Sequence, residues 1–118
     1  MDKFWLKNPQ EHDFPAAFDY LELLLPIEEC NMYVDKLKSA KTIIKKAKDI
    51  LRASSLPLLP NENTHVKENK KKVKSGGKLS PILLVKKNDK LIVADGYHRI
   101  CATYYLSEDL EIPCRLVE

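Results

Sequence analysis

Along the first half of the chain, apolar positions recur at helical spacing. Between Pro15 and Leu25, Phe18, Leu21, Leu24 and Leu25 fall on one side. Pro15 suits a first turn, so a short helix is predicted there, ended by Pro26. Ile27, Cys30, Tyr33, Val34 and Leu37 make a second stripe and predict a helix over Ile27–Lys38. Ile43, Ile44, Ala47, Ile50 and Leu51 repeat in the same way and predict a third over Ser39–Ala53, either separate from the second or joined to it through a bend. Residues 1–13 have no period, but Phe4 and Trp5 are expected to dock on the body of the protein.

The pattern changes at Ser54. Pro57 and Pro60 keep residues 54–60 out of a helix, and the stretch reads as an extended edge segment. Asn63 or Thr64 is placed to cap a basic helix from His65 to about Ser75, which Gly76-Gly77 ends. Pro81–Lys86 contains a continuous apolar run and reads as a buried strand. Lys87-Asn88-Asp89-Lys90 is a turn, and Leu91–Ala94 completes a hairpin. Gly96–Leu106 is a helix offering Ile100, Cys101, Tyr104 and Tyr105 to the core, and Ile112–Val117 is a last strand. The expected class is α+β. Its 118 residues suit a single domain, with a helical part over 1–53 and a mixed part over 54–118.

Charge adds one feature to this picture. The balance of 20 basic to 17 acidic residues demands no polyanionic partner, but Lys67, Lys70, Lys71, Lys72, Lys74, Lys78, Lys86, Lys87 and Lys90 fall close together. Such a run is either a solvated face or a local positive field for a phosphate-bearing ligand. Cys30, Cys101 and Cys114 are odd in number and lack metal-ligand spacing, and Cys101 and Cys114 read as small core fillers. The longest apolar runs are too short for a membrane span, and the N-terminus lacks a signal-like pattern, so a cytoplasmic setting without a membrane partner is expected.

The chemistry concentrates in Asp-Gly-Tyr-His-Arg at 95–99, where a strand runs into a glycine at a helix start. The first N–H groups of a helix lack internal partners and carry partial positive charge, so they accept anions. Gly96 allows close approach to the backbone. Arg99 offers a planar fork of donors and His98 a directed, titratable one, in an exposed first turn whose loss should leave the fold near intact. Asp95 admits three readings: a helix N-cap, a ligand to Mg²⁺ bridging a phosphate, or a general base toward a hydroxyl. Asp95 and His98 are the candidate catalytic residues.

The stretch Leu79–Val117, with Pro81-Ile82, Gly96, His98-Arg99, Ala102 and Ile112-Pro113, resembles the C-terminal part of the ParB/sulfiredoxin-like superfamily. The extended Leu56–Pro60 and the helix His65–Ser75 match that family's order of elements. The resemblance implies a small mixed sheet with packed helices and a bound nucleotide: ATP in sulfiredoxin, CTP in ParB partition proteins, ADP in a kinase of free serine. It implies that Gly96, Tyr97, His98 and Arg99 hold phosphates, with His65, Glu68 or Lys72 adding contacts and Asp95 holding Mg²⁺. Tyr97 stands where sulfiredoxin has its nucleophilic cysteine, and Tyr-His-Arg replaces the Glu-Arg-Arg typical of ParB. Asp-Gly-Tyr-His-Arg is nearest the Asp-Gly-His-His-Arg form of the kinase-like branch.

Two functions follow as expectations. One is a nucleotide-binding enzyme of phosphoryl transfer or nucleotide hydrolysis. The other is a non-catalytic nucleotide-responsive or nucleic-acid-binding module using the Lys67–Lys78 segment, whose backbone contacts would weaken with salt. A nuclease ranks below both, since no acidic metal cluster is present in the sequence. The N-terminal helices read as core, as a substrate-specificity element or as a homodimer interface.

Overall fold

A computed structural model describes residues 4–118. In chain order its elements are α1 (Asp13–Leu21), α2 (Ile27–Ser39), β1 (Ile43–Lys46), α3 (Ala47–Ser54), α4 (Thr64–Lys74), β2 (Ile82–Lys87), β3 (Lys90–Asp95), α5 (Tyr97–Leu106) and β4 (Glu111–Val117). The strands form one mixed sheet in the order β1-β4-β2-β3, so the fold is α+β as the pattern predicts.

β2 is one of the two inner strands, and its unbroken apolar run serves both faces. Ile82 and Leu84 join one core with α3, α4 and α5, while Leu83 and Val85 join the other with α1 and α2. The sheet is therefore the middle of three layers. β2 and β3 pair antiparallel through Asn88-Asp89, both at positive φ, the conformation a two-residue hairpin turn requires. The chain then crosses through α5, and β4 returns parallel to β2.

The third helix expected over Ser39–Ala53 does not form as one element. Ile43–Lys46 is an edge strand antiparallel to β4, with Ile43 opposite Cys114 and Ile44 opposite Pro113, and only Ala47–Ser54 is helical. Thr42, Ile43 and Ile44 are β-branched and suit a pleated surface. Their spacing to Ala47, Ile50 and Leu51 imitates a helical stripe, but only the latter three are buried, and both isoleucines stay exposed. Lys45 and Lys46 on this edge guard it against pairing with another chain.

The first helix also shifts. It starts at Asp13 and ends at Leu21, burying Phe14, Ala17 and Leu21. Leu25 precedes Pro26 and so is steered out of helical geometry, which leaves Leu23 and Leu24 outside the helix and exposed. α2 matches its predicted stripe, with Cys30, Tyr33, Val34 and Leu37 buried, although Ile27 is exposed. Both helices thus spend their apolar faces on covering the sheet.

The N-terminal segment docks as expected. Trp5 is 3% exposed, and Phe4 O and Leu6 N bracket Leu79 in backbone hydrogen bonds of 2.8 Å each. Residues 54–60 differ from the expected edge. After α3 ends at Ser54 the segment pairs with no strand, and Tyr97 and Tyr105 of α5 donate their hydroxyls to Pro57 O and Leu59 O instead. Among the described residues, no helix is long and apolar enough to cross a membrane.

Candidate functional site

β3 reaches α5 through Asp95-Gly96. The ladder pairs Leu84 with Val93 but Leu83 with Asp95, so Ala94 is the extra residue of a bulge. A bulge bends its strand and re-aims the next side chain, here Asp95. Gly96 follows at φ +113°, and a Cβ there would stand 2.5 Å from Ile82 Cδ1 and 2.9 Å from Arg99 Nη2. Conformation and space both require glycine at this joint.

Asp95 is not the N-cap of α5, for Gly96 occupies that position and has no side chain to cap with. Its carboxylate accepts from Arg99 Nη2 at 3.0 Å, one helical turn on, and the same nitrogen lies 3.3 Å from Pro81 O. The two side chains are only 18% and 17% exposed. Arg99 is therefore not the exposed fork of the sequence reading but a half-buried group committed to a carboxylate, with its Nε buried and unpartnered. The physical reason is the bulge, which turns Asp95 toward the same side of α5 that carries Arg99.

A second carboxyl faces this pair. Asp13, at the start of α1 and 2% exposed, accepts from Gln10 N at 2.8 Å and lies 3.4 Å from His12 Nε2. Burial pushes the Asp95 carboxyl above the usual carboxylate range; Arg99 pulls it down, and Asp13 adds to the rise through charge and hydrogen bonding. One guanidinium cannot fully compensate two carboxylates in a half-dry setting. Asp13 escaped the sequence reading because it sits in the aperiodic N-terminal stretch. The available signal was an acid at the first position of an apolar helix.

The start of α4 meets the start of α5. Asn63, the capping alternative that forms, accepts from His65 N and Val66 N at 3.0 and 3.2 Å. The His65 and His98 rings then stand 4.8 Å apart between centroids, and the Tyr97 ring is 5.8 Å from that of His98. Burial lowers the His98 pKa, and the positive fields of His65 and Arg99 lower it further, which favours the neutral imidazole. Glu68 Oε2 is 4.0 Å from His65 Nδ1 and lies on the same rim. Burial raises the Tyr97 phenol, which stays protonated and tied to Pro57 O as a wall of the site.

Lys72 does not join this group. It lies seven residues beyond His65, about 10 Å along the helix axis, and its stem packs over Gly77. The cation beside Asp95 is the Arg99 guanidinium, and among the described residues no three His, Cys, Asp or Glu side chains converge as a metal site. The cysteines are all buried, with raised pKa values, that of Cys114 pushed up to about 11 by burial.

The remaining basic residues lie elsewhere. Lys67, Lys70, Lys71 and Lys74 line a shallow groove of about 590 Å³ on the outer side of α4. Lys70 is partly engaged, donating to Asn61 Oδ1 at 2.7 Å and standing 5.5 Å above the Tyr105 ring. No protein-family model, curated protein or solved structure matches the chain.

Proposed function

We propose that the chain binds a nucleotide through its phosphates at the start of α5, beside His98 and His65. The observation that carries this reading is the meeting of two helix N-termini at the histidine pair, one of them uncapped. The first N–H groups of α5 need an acceptor, and both dipoles favour an anion at that point. Neutral His98 donates one ring N–H without the desolvation cost of a buried cation. Arg99 acts from beneath as fixed positive charge, oriented by Asp95.

Phosphoryl transfer or nucleotide hydrolysis is the reaction this arrangement supports. An acceptor hydroxyl or water attacks the terminal phosphorus, its proton passes to Asp95, and the bond to the departing phosphate oxygen breaks. A carboxyl with a raised pKa is a stronger base than an ordinary aspartate, provided that it is ionised at the working pH. His98 is placed to donate a hydrogen bond to the leaving oxygen, which departs as an anion. The ParB/sulfiredoxin likeness of Leu79–Val117 supports the same ligand class, and ATP, ADP and CTP are its candidates. A cytoplasmic setting fits three buried free thiols.

The test is a thermal-shift panel of ATP, ADP, CTP, GTP and pyrophosphate on the native chain and on His98→Ala and His65→Ala. Ligands that bind the folded state raise Tm by mass action. Stabilisation by one nucleotide that is lost in His98→Ala supports the site. No shift with any ligand refutes it.

The lysine groove on α4 favours a second reading, a nucleic-acid contact. Binding there would fall steeply with salt and be indifferent to His98→Ala. A homodimer through this part of the chain has the exposed Tyr20, Leu23, Leu24, Ile27 and Met32 to use, since Phe14, Ala17, Leu21, Cys30, Tyr33, Val34 and Leu37 are buried.

A further inference from the structure

The sheet ends on one side at β3, and that edge lies at the bottom of a groove of about 410 Å³. Its walls come from both layers, Tyr20 and Leu24 on the α1 side and Ala53 and Leu56 on the α3 side. Residues 89–93 form its floor. A cavity lined from both faces of a sheet can lie only beyond an edge strand, and the consecutive floor residues identify that strand as β3.

The hairpin fixes which backbone groups face the groove. Lys87 and Lys90 flank the two-residue turn, so they close the ladder by hydrogen-bonding to each other. Antiparallel pairing then alternates. Ile92 points its N–H and C=O inward to Val85, while Leu91 and Val93 point theirs away from β2. Among the described residues, no backbone hydrogen bond reaches Leu91 or Val93 from the groove side. Two donors and two acceptors thus stand in a row, repeating about 6.8 Å apart along the strand. An extended backbone matches that repeat.

The side chains narrow the choice of occupant. β1, the other edge, carries Lys45 and Lys46, whereas β3 has no charge between Lys90 and Asp95. Tyr20 and Leu24 are 43% and 53% exposed, large apolar side chains left uncovered on the rim of the groove. Asp89 and Lys90 are its only charged lining residues, and both lie at the turn end. The middle of the occupant is therefore apolar and uncharged. A second copy of β3 suits the groove poorly, because it would bring the same two walls, and these meet before the strands do. A single strand without flanking layers fits between them.

We infer that this edge takes up an extended peptide segment of a partner protein as a fifth strand of the sheet. Its apolar side chains lie alternately against Tyr20 and Leu24 and against Ala53 and Leu56. The inference does not rest on the nucleotide reading.

The experiment is a ¹⁵N–¹H NMR titration of the full chain with the acetylated, amidated peptide KTVIVTK. Two analogues, N-methylated on alternate residues, are titrated in parallel, since in either register one of them blocks the hydrogen bonds to β3. The expected result is a saturable downfield movement of the Leu91 and Val93 amides with slowed hydrogen exchange, and a much smaller change at Ile92. One analogue should bind about tenfold more weakly or worse, and the other close to the parent. Tyr20→Gln combined with Leu24→Gln should also weaken the parent peptide by about tenfold without lowering Tm, because both side chains are exposed. The inference is overturned if no amide of β3 moves saturably, if both analogues bind like the parent, or if the double variant binds as tightly as the native chain. It is overturned in favour of a second copy if the Leu91 and Val93 amides shift when the chain alone is concentrated.

Discussion

Arg99→Ala separates the structural account from the sequence reading most sharply. As an exposed clamp, Arg99 would be dispensable for folding. In the structure it is the cation of a half-buried pair, and its removal leaves Asp95 near Asp13 with no compensating charge. Breaking a buried pair by deleting one partner costs about 3–5 kcal/mol. Asp95 escapes part of this by taking up a proton, so the lower end applies: about 3 kcal/mol near pH 8, or roughly 12 °C in Tm at about 4 °C per kcal/mol. The pH dependence has a definite sign. With Arg99 gone, the folded-state pKa of Asp95 rises further above its unfolded value of about 3.9. The group's contribution is then full below that value and lost as pH rises through the raised one. Urea denaturation at pH 8 and at pH 4.5 should therefore give a larger loss at pH 8. Adding Asp95→Asn should recover at least about 1 kcal/mol, since the two sites share one interaction. A loss under about 1 kcal/mol, or one that ignores pH, would refute the buried-pair argument.

Gly96→Ala should cost about 2 kcal/mol or more by denaturant titration, because left-handed geometry is strained and the new methyl meets Ile82 and Arg99. His98 should titrate by NMR below the ordinary value of about 6.5, and His65→Ala should raise it part of the way back. The sign follows: His98 contributes stability above its unfolded pKa and loses it as pH falls through the depressed one. The three thiols should resist a disulfide reagent at pH 8 in the native protein and react together on unfolding, since all are buried with raised pKa values.

The second half of the fold was readable because its signals are local. Asn63 caps α4 with its own side chain, Gly76 takes positive φ just past the helix end, and Asn88-Asp89 closes a tight hairpin. β1 was not readable in the same way. It is four residues long and keeps its isoleucines exposed, and it is defined by pairing with β4, far along the chain. Chance spacing to α3 completed the helical illusion. At the candidate site, the motif at 95–99 is legible in the sequence, and the structure places the His65 ring beside it, 4.8 Å from that of His98. The pairing of Arg99 with Asp95 was hidden because it depends on a bulge at Ala94, which has no sequence signature of its own. Asp13 was hidden because a lone acid in an aperiodic segment shows its burial only once α1 is laid on the sheet.

The central claim is that phosphates sit at the start of α5. The most direct measurement is a ¹⁵N–¹H NMR titration of the native chain with ADP, following the backbone amides of Tyr97 and His98 and the ring signals of His65 and His98. The account predicts saturable shifts centred on those groups, together with a rise in the His98 pKa as the anion arrives. Shifts confined to Lys67, Lys70, Lys71 and Lys74, or none at all, would contradict it.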